Sequence, residues 1–409
     1  MISRRTALTA SAGLVAAGVA GGALTACGAD DDSPSQVVDF YGEHQAGIVT
    51  EAQDRLHFAA FDVVTTNRDD VVAMLKAWTA AAERMTRGEE VTADGATGLG
   101  DYTPPTDTGE ALGLSAAHLT LTIGFGPSLF TRFGLAARKP AALTELPAFA
   151  TEKIDPQRSN GDICIQACAD DPQVAVHAIR NLARIGVGVV AVRWSQLGFG
   201  RTSSTTRTQQ TPRNLFGFKD GTANIRSDET EDLNKWVWVG EEDNPPAAQW
   251  MTGGTYLAAR RIRMDIEPWD RANLLEQEII IGRTKGEGAP LGQTAEFDEP
   301  DFQITSGRAP LIARNSHVAV TNPKNRGGVR ILRRGYNFTD GSDGFGHLDA
   351  GLFFIAFNRD SHKQFIPMQH DVARRDALTE YLITQSSAHF AVPPGIQPGE
   401  YWGQRLFEG

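Results

Sequence analysis

The chain has 409 residues, of which 41% are hydrophobic and 22% charged, and its formal net charge is −11. Because an acidic surface repels phosphate, this composition argues against a nucleic-acid-binding protein. The length allows two domains of ordinary size, each with a core of its own.

The first 27 residues predict an export signal. Ser3-Arg4-Arg5-Thr6 precedes a mildly apolar, Ala- and Gly-rich stretch over residues 7–26, which is typical of a twin-arginine signal peptide and less so of a membrane span. Leu24-Thr25-Ala26-Cys27 is typical of a lipobox, whose use would leave a lipidated Cys27 followed by a polar linker over residues 28–40. We expect a lipoprotein on the outer face of the cytoplasmic membrane. The alternative is cleavage near Cys27 without lipid, giving a secreted or periplasmic protein.

Three segments repeat one scheme, in which an apolar strand leads through an Asn/Asp turn into an amphipathic helix. In the second of them, Asp171 is placed to cap the helix, Pro172 takes its first position and Gly186 ends it. The predicted strand and helix pairs are 56–64 with 71–87, 163–169 with 173–185, and 352–357 with a helix after residue 360.

Further strands are predicted from β-branched and aromatic runs at 119–123, 187–193 and 278–281, and a last helix at 374–386. Gly-, Pro- and acid-rich segments at 30–35, 92–108 and 286–300 predict loops. This pattern favours α+β domains whose helices cover one face of a sheet. We expect two halves, residues 41–205 and 206–409, divided in the polar stretch 201–212.

Two of the three cysteines, Cys164 and Cys168, lie four residues apart in a predicted strand, so their side chains share a face roughly 13 Å apart. That separation exceeds the reach of a disulfide. We therefore expect buried free thiols.

Three polar groups stand out in the second half. Asp220 lies in the glycine-flanked, aromatic-rich run Asn214-Leu-Phe-Gly-Phe-Lys-Asp220-Gly-Thr-Ala-Asn224, although Asp-Gly alone indicates only a turn. His317 follows in Asn315-Ser-His317-Val, and a lone histidine is more often structural than a ligand. Arg333 and Arg334 come later, and strand alternation sends them to opposite faces. A carboxylate, an imidazole and a guanidinium are the groups needed to hold a haem iron and split hydrogen peroxide on it.

In this order and spacing, Gly217-Phe-Lys-Asp220-Gly221, His317 and Ile331-Leu-Arg333-Arg-Gly-Tyr336 resemble the dye-decolourising peroxidases, especially the exported branch with the deferrochelatase-type proteins. The similarity covers most of the chain, including the run His44-Gln-Ala-Gly-Ile48. The resemblance implies two ferredoxin-like domains of the dimeric α+β barrel type, with antiparallel sheets covered by helices. It also implies one haem b per chain, bound in the second domain.

The resemblance further implies a role for each polar group. His317 would be the proximal iron ligand through Nε2, while its other nitrogen donates to an acceptor that the sequence does not name. Asp220 would move a proton between the peroxide oxygens, and Arg333 would stabilise the developing charge and contact a haem propionate. Because a carboxylate is a weaker base than imidazole, we expect activity to be favoured at acidic pH.

Other residues are expected around the ring. Gly217 and Gly221 would let the short Asp220 side chain approach it closely. Residues 352–354 would form an apolar wall, unless they are core residues. Main-chain contacts are expected from Gly221, Thr222 and Ala223, and edge contacts from Asn322, Pro323 and Lys324, where Lys324 replaces an arginine common in the family. Candidates for relaying electrons from large dyes are Trp250, Tyr256, Tyr336 and Trp402.

The function implied is a haem peroxidase that reduces H2O2 through a ferryl intermediate and oxidises aromatic and dye-type donors. The alternatives are deferrochelatase-like release of iron from haem, a haem carrier lipoprotein with incidental peroxidase activity, and a non-haem protein of the same fold. Expected partners are peroxide, small aromatic reductants, a membrane tether through Cys27, a homo-oligomer partner and iron-uptake proteins.

Overall fold

A computed structural model describes residues 36–408. The predicted signal peptide, Cys27, the loop 30–35 and most of the linker 28–40 lie outside the described residues. Within residues 36–408, no helix has the length and apolar character that crossing a membrane requires.

The strands are β1 (Arg55–Val63), β2 (Thr120–Phe125), β3 (Ile163–Ala169), β4 (Val190–Arg201), β5 (Thr255–Met264), β6 (Thr305–Ser306), β7 (Ala309–Pro310), β8 (Leu332–Arg333), β9 (Tyr336–Ser342), β10 (Leu348–Asn358) and β11 (Leu382–Val392). The α-helices are α1 (Arg68–Thr86), α2 (Pro172–Ile185), α3 (Thr230–Trp236), α4 (Ile266–Arg271), α5 (Leu274–Ile281), α6 (His317–Thr321), α7 (Phe365–Arg375) and α8 (Gln404–Phe407).

Eight long strands form a closed antiparallel barrel. Their order is β5-β11-β2-β3-β1-β4-β9-β10, and β10 pairs back with β5. The first half contributes β2-β3-β1-β4 and the second β9-β10-β5-β11, so each half has the ferredoxin-like order 2-3-1-4. Short pairings of β4 with β9 and of β11 with β2 join the halves. This confirms the predicted α+β fold of the dimeric barrel type. The boundary predicted at residues 205/206 lies between β4 and β5 and stays a prediction.

The inner faces of the strands fill the barrel with apolar side chains from both halves. Phe58 of β1 lies near its centre, with ring centroids 5.3 Å from both Trp194 and Phe353. Cys164 and Cys168 are buried in this core as free thiols, as predicted.

The outer faces of the two sheets are covered differently. Helices α1 and α2 pack on the first sheet and bury many apolar side chains, among them Leu75, Trp78 and Leu182. In the second half, Phe365 alone among the residues of α7 is buried. A cavity takes up the space between α7 and the second sheet.

Two predicted elements are wrong. Residues 278–281, predicted as a strand, are the end of α5, because the Asn273 side chain caps that helix on Glu276 N (3.0 Å) and Gly282 ends it at φ 91°. Residues 374–386, predicted as a helix, contain the end of α7, a 3₁₀ turn (Ala377–Tyr381) and the start of β11. The other predicted strands and helices are present with shifted ends, and α2 begins at Pro172 behind an Asp171 cap, as predicted.

Candidate active site

A cavity of about 250 Å³ lies between the second sheet and helices α6 and α7. Its walls are mainly apolar, and they include Ile262, Met264, Ile281, Leu352, Phe354, Phe365, Met368, Val372 and Leu378. A few charged groups share this lining: Glu152, Lys219, Asp220, Arg283, His317, Arg330 and Arg333. An apolar cavity with a few convergent polar groups is typical of a ligand site.

His317 is the first residue of α6, a short helix capped by Ser316. Its Nδ1 lies 2.6 Å from Oδ2 of Asp376, a buried residue whose other carboxylate oxygen accepts from Leu378 N (2.9 Å). Asp376 is therefore the partner that the sequence does not name. With Nδ1 committed to a carboxylate, Nε2 is the nitrogen available to a ligand, and it has no hydrogen-bond partner among the described residues.

The charge of Asp376 sets the protonation of this imidazole. Burial lowers the pKa of His317, but the charge and hydrogen bond of Asp376 outweigh burial, so the pKa of the unligated imidazole is raised. Asp220 adds to the rise and Arg333 opposes it, so both groups lie within electrostatic reach of the ring. A carboxylate partner makes a coordinating imidazole more basic.

Asp220 and Arg333 form an ion pair in the same cavity. Asp220 Oδ1 accepts from Arg333 Nη1 at 2.6 Å, and Oδ2 lies 3.3 Å from Asn214 Nδ2. Arg334 points the opposite way, as strand alternation predicts: it is buried and donates to the carbonyl oxygens of Thr50 and Glu51. Arg333 is thus the arginine that faces the cavity.

Gly217 and Gly221 serve the turn itself. Both have positive φ, 80° and 90°, which favours glycine. A Cβ on Gly221 would lie 2.8 Å from Ser203 Cα, and one on Gly217 would lie 2.9 Å from Lys285 Cε. At Gly221 the clash is with main chain, so packing against Ser203 requires glycine there, whereas at Gly217 the flexible end of Lys285 could move aside. The expected approach of these glycines to a ring stays a prediction.

Five of the six expected contact residues line the cavity: Gly221, Thr222, Ala223, Asn322 and Pro323. Lys324 is not part of the lining, and its Nζ pairs with Glu299 at 2.8 Å. Sequence reasoning missed Arg283 and Arg330, which line the cavity beside Lys219 and Arg333. Arg330 lies only three residues before Arg333, which is the one signal in the sequence that could have identified it.

The side chains of residues 352–354 point alternately to the two faces of the sheet, as in any β-strand. Leu352 and Phe354 line the cavity, and Phe353 is buried in the barrel core. The four aromatic relay candidates, Trp250, Tyr256, Tyr336 and Trp402, are all buried, and none belongs to the cavity lining in the described part of the chain.

Two family models match the chain: the Dyp-type peroxidase N-terminal model over residues 45–200 and the Dyp-type peroxidase C-terminal model over residues 211–397. The chain belongs to the Dyp-type peroxidase family. It is therefore a haem peroxidase, and its substrates are hydrogen peroxide and a reductant.

Relatives of this Dyp-type peroxidase include a deferrochelatase of Yersinia pseudotuberculosis, 34% identical over 99% of this chain and 95% of the relative. A deferrochelatase of Escherichia coli is 35% identical over 92% of this chain and 88% of the relative. Among solved structures, ferric DtpA from Streptomyces lividans is 38% identical with a TM-score of 0.82, covering 92% of this chain and 98% of that one. The Dyp-type peroxidase from Cellulomonas bogoriensis is 39% identical with a TM-score of 0.80, at 91% and 98% coverage.

The residues present fit a haem. The apolar walls suit a porphyrin ring, and the free Nε2 of His317 suits an iron atom. Arg330 and Arg333 also line the cavity, and guanidinium groups suit propionate carboxylates.

Proposed function

We propose that this Dyp-type peroxidase binds one haem b per chain through His317 Nε2, reduces H2O2 and oxidises small aromatic and dye-type donors. One observation carries the proposal: His317, which Asp376 orients, lines the same apolar cavity as the Asp220–Arg333 pair. A haem held there would supply the redox chemistry between peroxide and the donor.

The side chains of the cavity supply the proton transfer and the charge stabilisation. Asp220 takes the proton from one peroxide oxygen and delivers it to the other, which leaves as water. Arg333, 2.6 Å from Asp220, stabilises negative charge that develops as the O–O bond lengthens. Asp376 keeps the proton of His317 on Nδ1 and so leaves Nε2 to the metal.

Asp220→Asn and Arg333→Ala test these roles. Both variants should bind haem and keep the Soret band, because neither changes His317. We expect the reaction with one equivalent of H2O2, followed by stopped-flow absorbance, to slow by roughly 10²–10⁴-fold for Asp220→Asn and 10²–10³-fold for Arg333→Ala.

Asp371→Asn is the control, because this carboxylate pairs with Arg326 outside the cavity lining. Parent rates in both test variants would remove Asp220 and Arg333 from the mechanism. His317→Ala tests the ligand separately: a normal five-coordinate haem spectrum in that variant would rule out His317 as the iron ligand.

Release of iron from haem is a second candidate. The identity of 34–35% to proteins named deferrochelatase, over 92–99% of this chain, favours it. Anaerobic incubation of the loaded protein with a reductant and an iron chelator should then yield free protoporphyrin, identified by its fluorescence. Recovery of intact haem alone would exclude this activity.

The proposal also includes export by the twin-arginine pathway and a membrane tether through a lipidated Cys27. It further includes self-association and contact with iron-uptake proteins. The arginine pair Arg4-Arg5 and the Leu-Thr-Ala-Cys27 run support export and lipidation. Cys27→Ala should release the protein from the membrane fraction, and Arg4→Lys with Arg5→Lys should stop export.

A further inference from the structure

The proposed catalytic pair depends on two segments that are 113 residues apart in the chain. Asp220 lies in a turn between β4 and β5, and Arg333 ends the two-residue strand β8. Both side chains are partly exposed to the cavity, so their own contact leaves them room to move. A further contact must therefore fix the main chain at Asp220 relative to the main chain at Arg333.

Asn224 makes that connection. It lies four residues after Asp220 and is only 3% exposed. Its Nδ2 donates to the carbonyl oxygen of Arg333 at 2.9 Å, and its Oδ1 accepts from Arg333 N at 2.8 Å. The side-chain amide therefore pairs with the main chain of Arg333 in both directions, as a neighbouring strand would.

Other contacts of Asn224 hold it to the Asp220 turn. Its main-chain N donates to Gly221 O at 3.0 Å, which closes the turn that follows Asp220. Its Nδ2 also lies 3.1 Å from Ser204 O. Asn224 is thus tied to the residue next to Asp220 and to Arg333 at the same time.

The arrangement at the two edges of β8 explains why the contact between Asn224 and Arg333 is needed. On one side, β8 pairs with β10 through Leu332 and Arg333. On its other side, the amide of Asn224 takes the place of a strand. Without Asn224, the main-chain N–H and C=O of Arg333 would lose their hydrogen-bond partners. The main chain that carries the guanidinium group would then no longer be held in place.

We propose that Asn224 is a positioning residue for the peroxide reaction, which sets the 2.6 Å contact between Asp220 and Arg333 by holding both main chains. This inference rests on the proposed roles of Asp220 and Arg333. It requires a side chain with a donor and an acceptor in one plane, which an amide provides and alanine does not.

Asn224→Ala and Asn224→Asp test the inference on the haem-loaded protein. We expect the rate constant with H2O2 to fall by roughly 10–100-fold, because a displacement of about 1 Å is enough for such a loss. The KM for the aromatic donor should not change. Cyanide affinity of the ferric protein, read from the Soret shift, should weaken in parallel, since HCN must lose a proton and become an anion in the same cavity, as proposed for peroxide.

The aspartate variant gives a sharper readout. An ionised carboxylate cannot donate to Arg333 O, whereas a protonated one offers an acceptor and a donor like the amide it replaces. The defect of Asn224→Asp relative to the parent should therefore shrink as the pH falls, while that of Asn224→Ala stays constant. A simple loss of stability would not produce this difference.

Asn337→Ala is the matched control, because Asn337 is also a buried asparagine (5% exposed) whose Nδ2 donates to a main-chain oxygen, Gly200 O, at 2.9 Å. It should leave the peroxide reaction near the parent rate. Rates and cyanide affinities of the Asn224 variants equal to those of Asn337→Ala would overturn the inference while leaving the roles of Asp220 and Arg333 intact.

A double-variant cycle covers the case in which Asn224→Ala is unstable. If Asn224 acts through Arg333, its replacement in the Arg333→Ala background should cost almost nothing further in the peroxide rate. Losses that simply multiply would overturn the inference. Parent rates in Asp220→Asn and Arg333→Ala would instead contradict the proposed function on which it rests.

Discussion

The histidines of this protein show how one neighbouring carboxylate can reverse the effect of burial. Burial lowers the pKa of His57 and His389 to about 4. His317 is subject to the same desolvation, yet the nearby Asp376 raises its pKa. A histidine in a cavity whose pKa is raised in spite of burial is a candidate functional group, and here the perturbing group, Asp376, is identified.

Asp376→Asn should weaken haem binding. The variant keeps the shape of the acceptor but removes its charge, so the His317 imidazole becomes a less basic ligand. We expect haem affinity to fall by roughly 10–100-fold. Titration of the haem-free protein with haem, followed at the Soret band, measures this change, and the iron–histidine stretching frequency of the ferrous protein should fall as well.

Asp371→Asn gives the comparison for that experiment, since Asp371 lies five residues away and its carboxylate pairs with Arg326. Equal haem affinity and an equal stretching frequency in the parent and both variants would show that Asp376 does not tune the ligand.

At the level of single residues, the sequence predicted the groups that lie in recognisable motifs. Asp220, His317 and Arg333 all line the cavity, whereas the Asp376 contact spans 59 residues of sequence and depends on how α6 packs near the end of α7. Lys324 was expected at the ring edge because of its place beside Asn322 and Pro323. A 3₁₀ turn over Pro323–Asn325 accompanies its contact with Glu299 outside the cavity lining. Such tertiary contacts leave no mark in local sequence.

The segment 286–300 acts as a strap beside the cavity. Its Glu296 pairs with Lys219 and accepts from Thr222 Oγ1 at 3.1 Å, next to the Asp220 turn. Its Glu299 pairs with Lys324, close to Asn322 and Pro323. The strap thus connects the two segments between which we expect a haem to lie.

Glu296→Gln should speed the loss of haem. Removing the charge breaks the partly buried ion pair with Lys219 and loosens the strap, while the groups proposed to hold and use the haem remain unchanged. We expect the rate of haem transfer to apomyoglobin to rise by about 10-fold, the equivalent of 1.4 kcal/mol. The transfer is measured from the change in Soret absorbance.

Glu287→Gln is the matched control, because Glu287 is an exposed glutamate in the same strap. The role of the strap would be refuted by equal transfer rates in the parent, Glu287→Gln and Glu296→Gln.

At the level of elements, long segments with clear periodicity were predicted and short ones were not. Helix α2 carries its cap, its proline and its glycine stop in the sequence, and each signal agrees with the others. In α5 the β-branched run Ile279-Ile-Ile281 favours a strand, but Asn273 and Gly282 at its ends favour a helix. The capping contacts decide that this segment is a helix. The residues at the ends of a short apolar run therefore predict its secondary structure better than the residues within it.

The two halves of the molecule depend on each other. The barrel closes only through β4–β9 and β11–β2, and these pairings are short. A buried polar contact adds to them: His389 of β11 donates from Nδ1 to Thr144 O of the first half at 2.7 Å. On its other side, Nε2 lies 2.8 Å from Ser361 Oγ. The closed barrel could be expected from the family resemblance, but this contact could not, because it spans 245 residues.

The neutral state of His389 predicts how the fold responds to acid. Its pKa is about 4 in the folded protein and about 6.5 when unfolded, so unfolding takes up a proton between these values. Its contribution to stability is therefore complete above pH 6.5 and is lost progressively as the pH falls towards 4, up to about 2–3 kcal/mol.

His389→Asn keeps a donor for Thr144 O and does not titrate. Urea unfolding of the variant should thus show a smaller loss of stability between pH 6.5 and 4.5 than the parent, whereas His370→Asn, at an exposed position, should match the parent. Identical pH dependence in all three proteins would mean that His389 is already charged in the folded barrel.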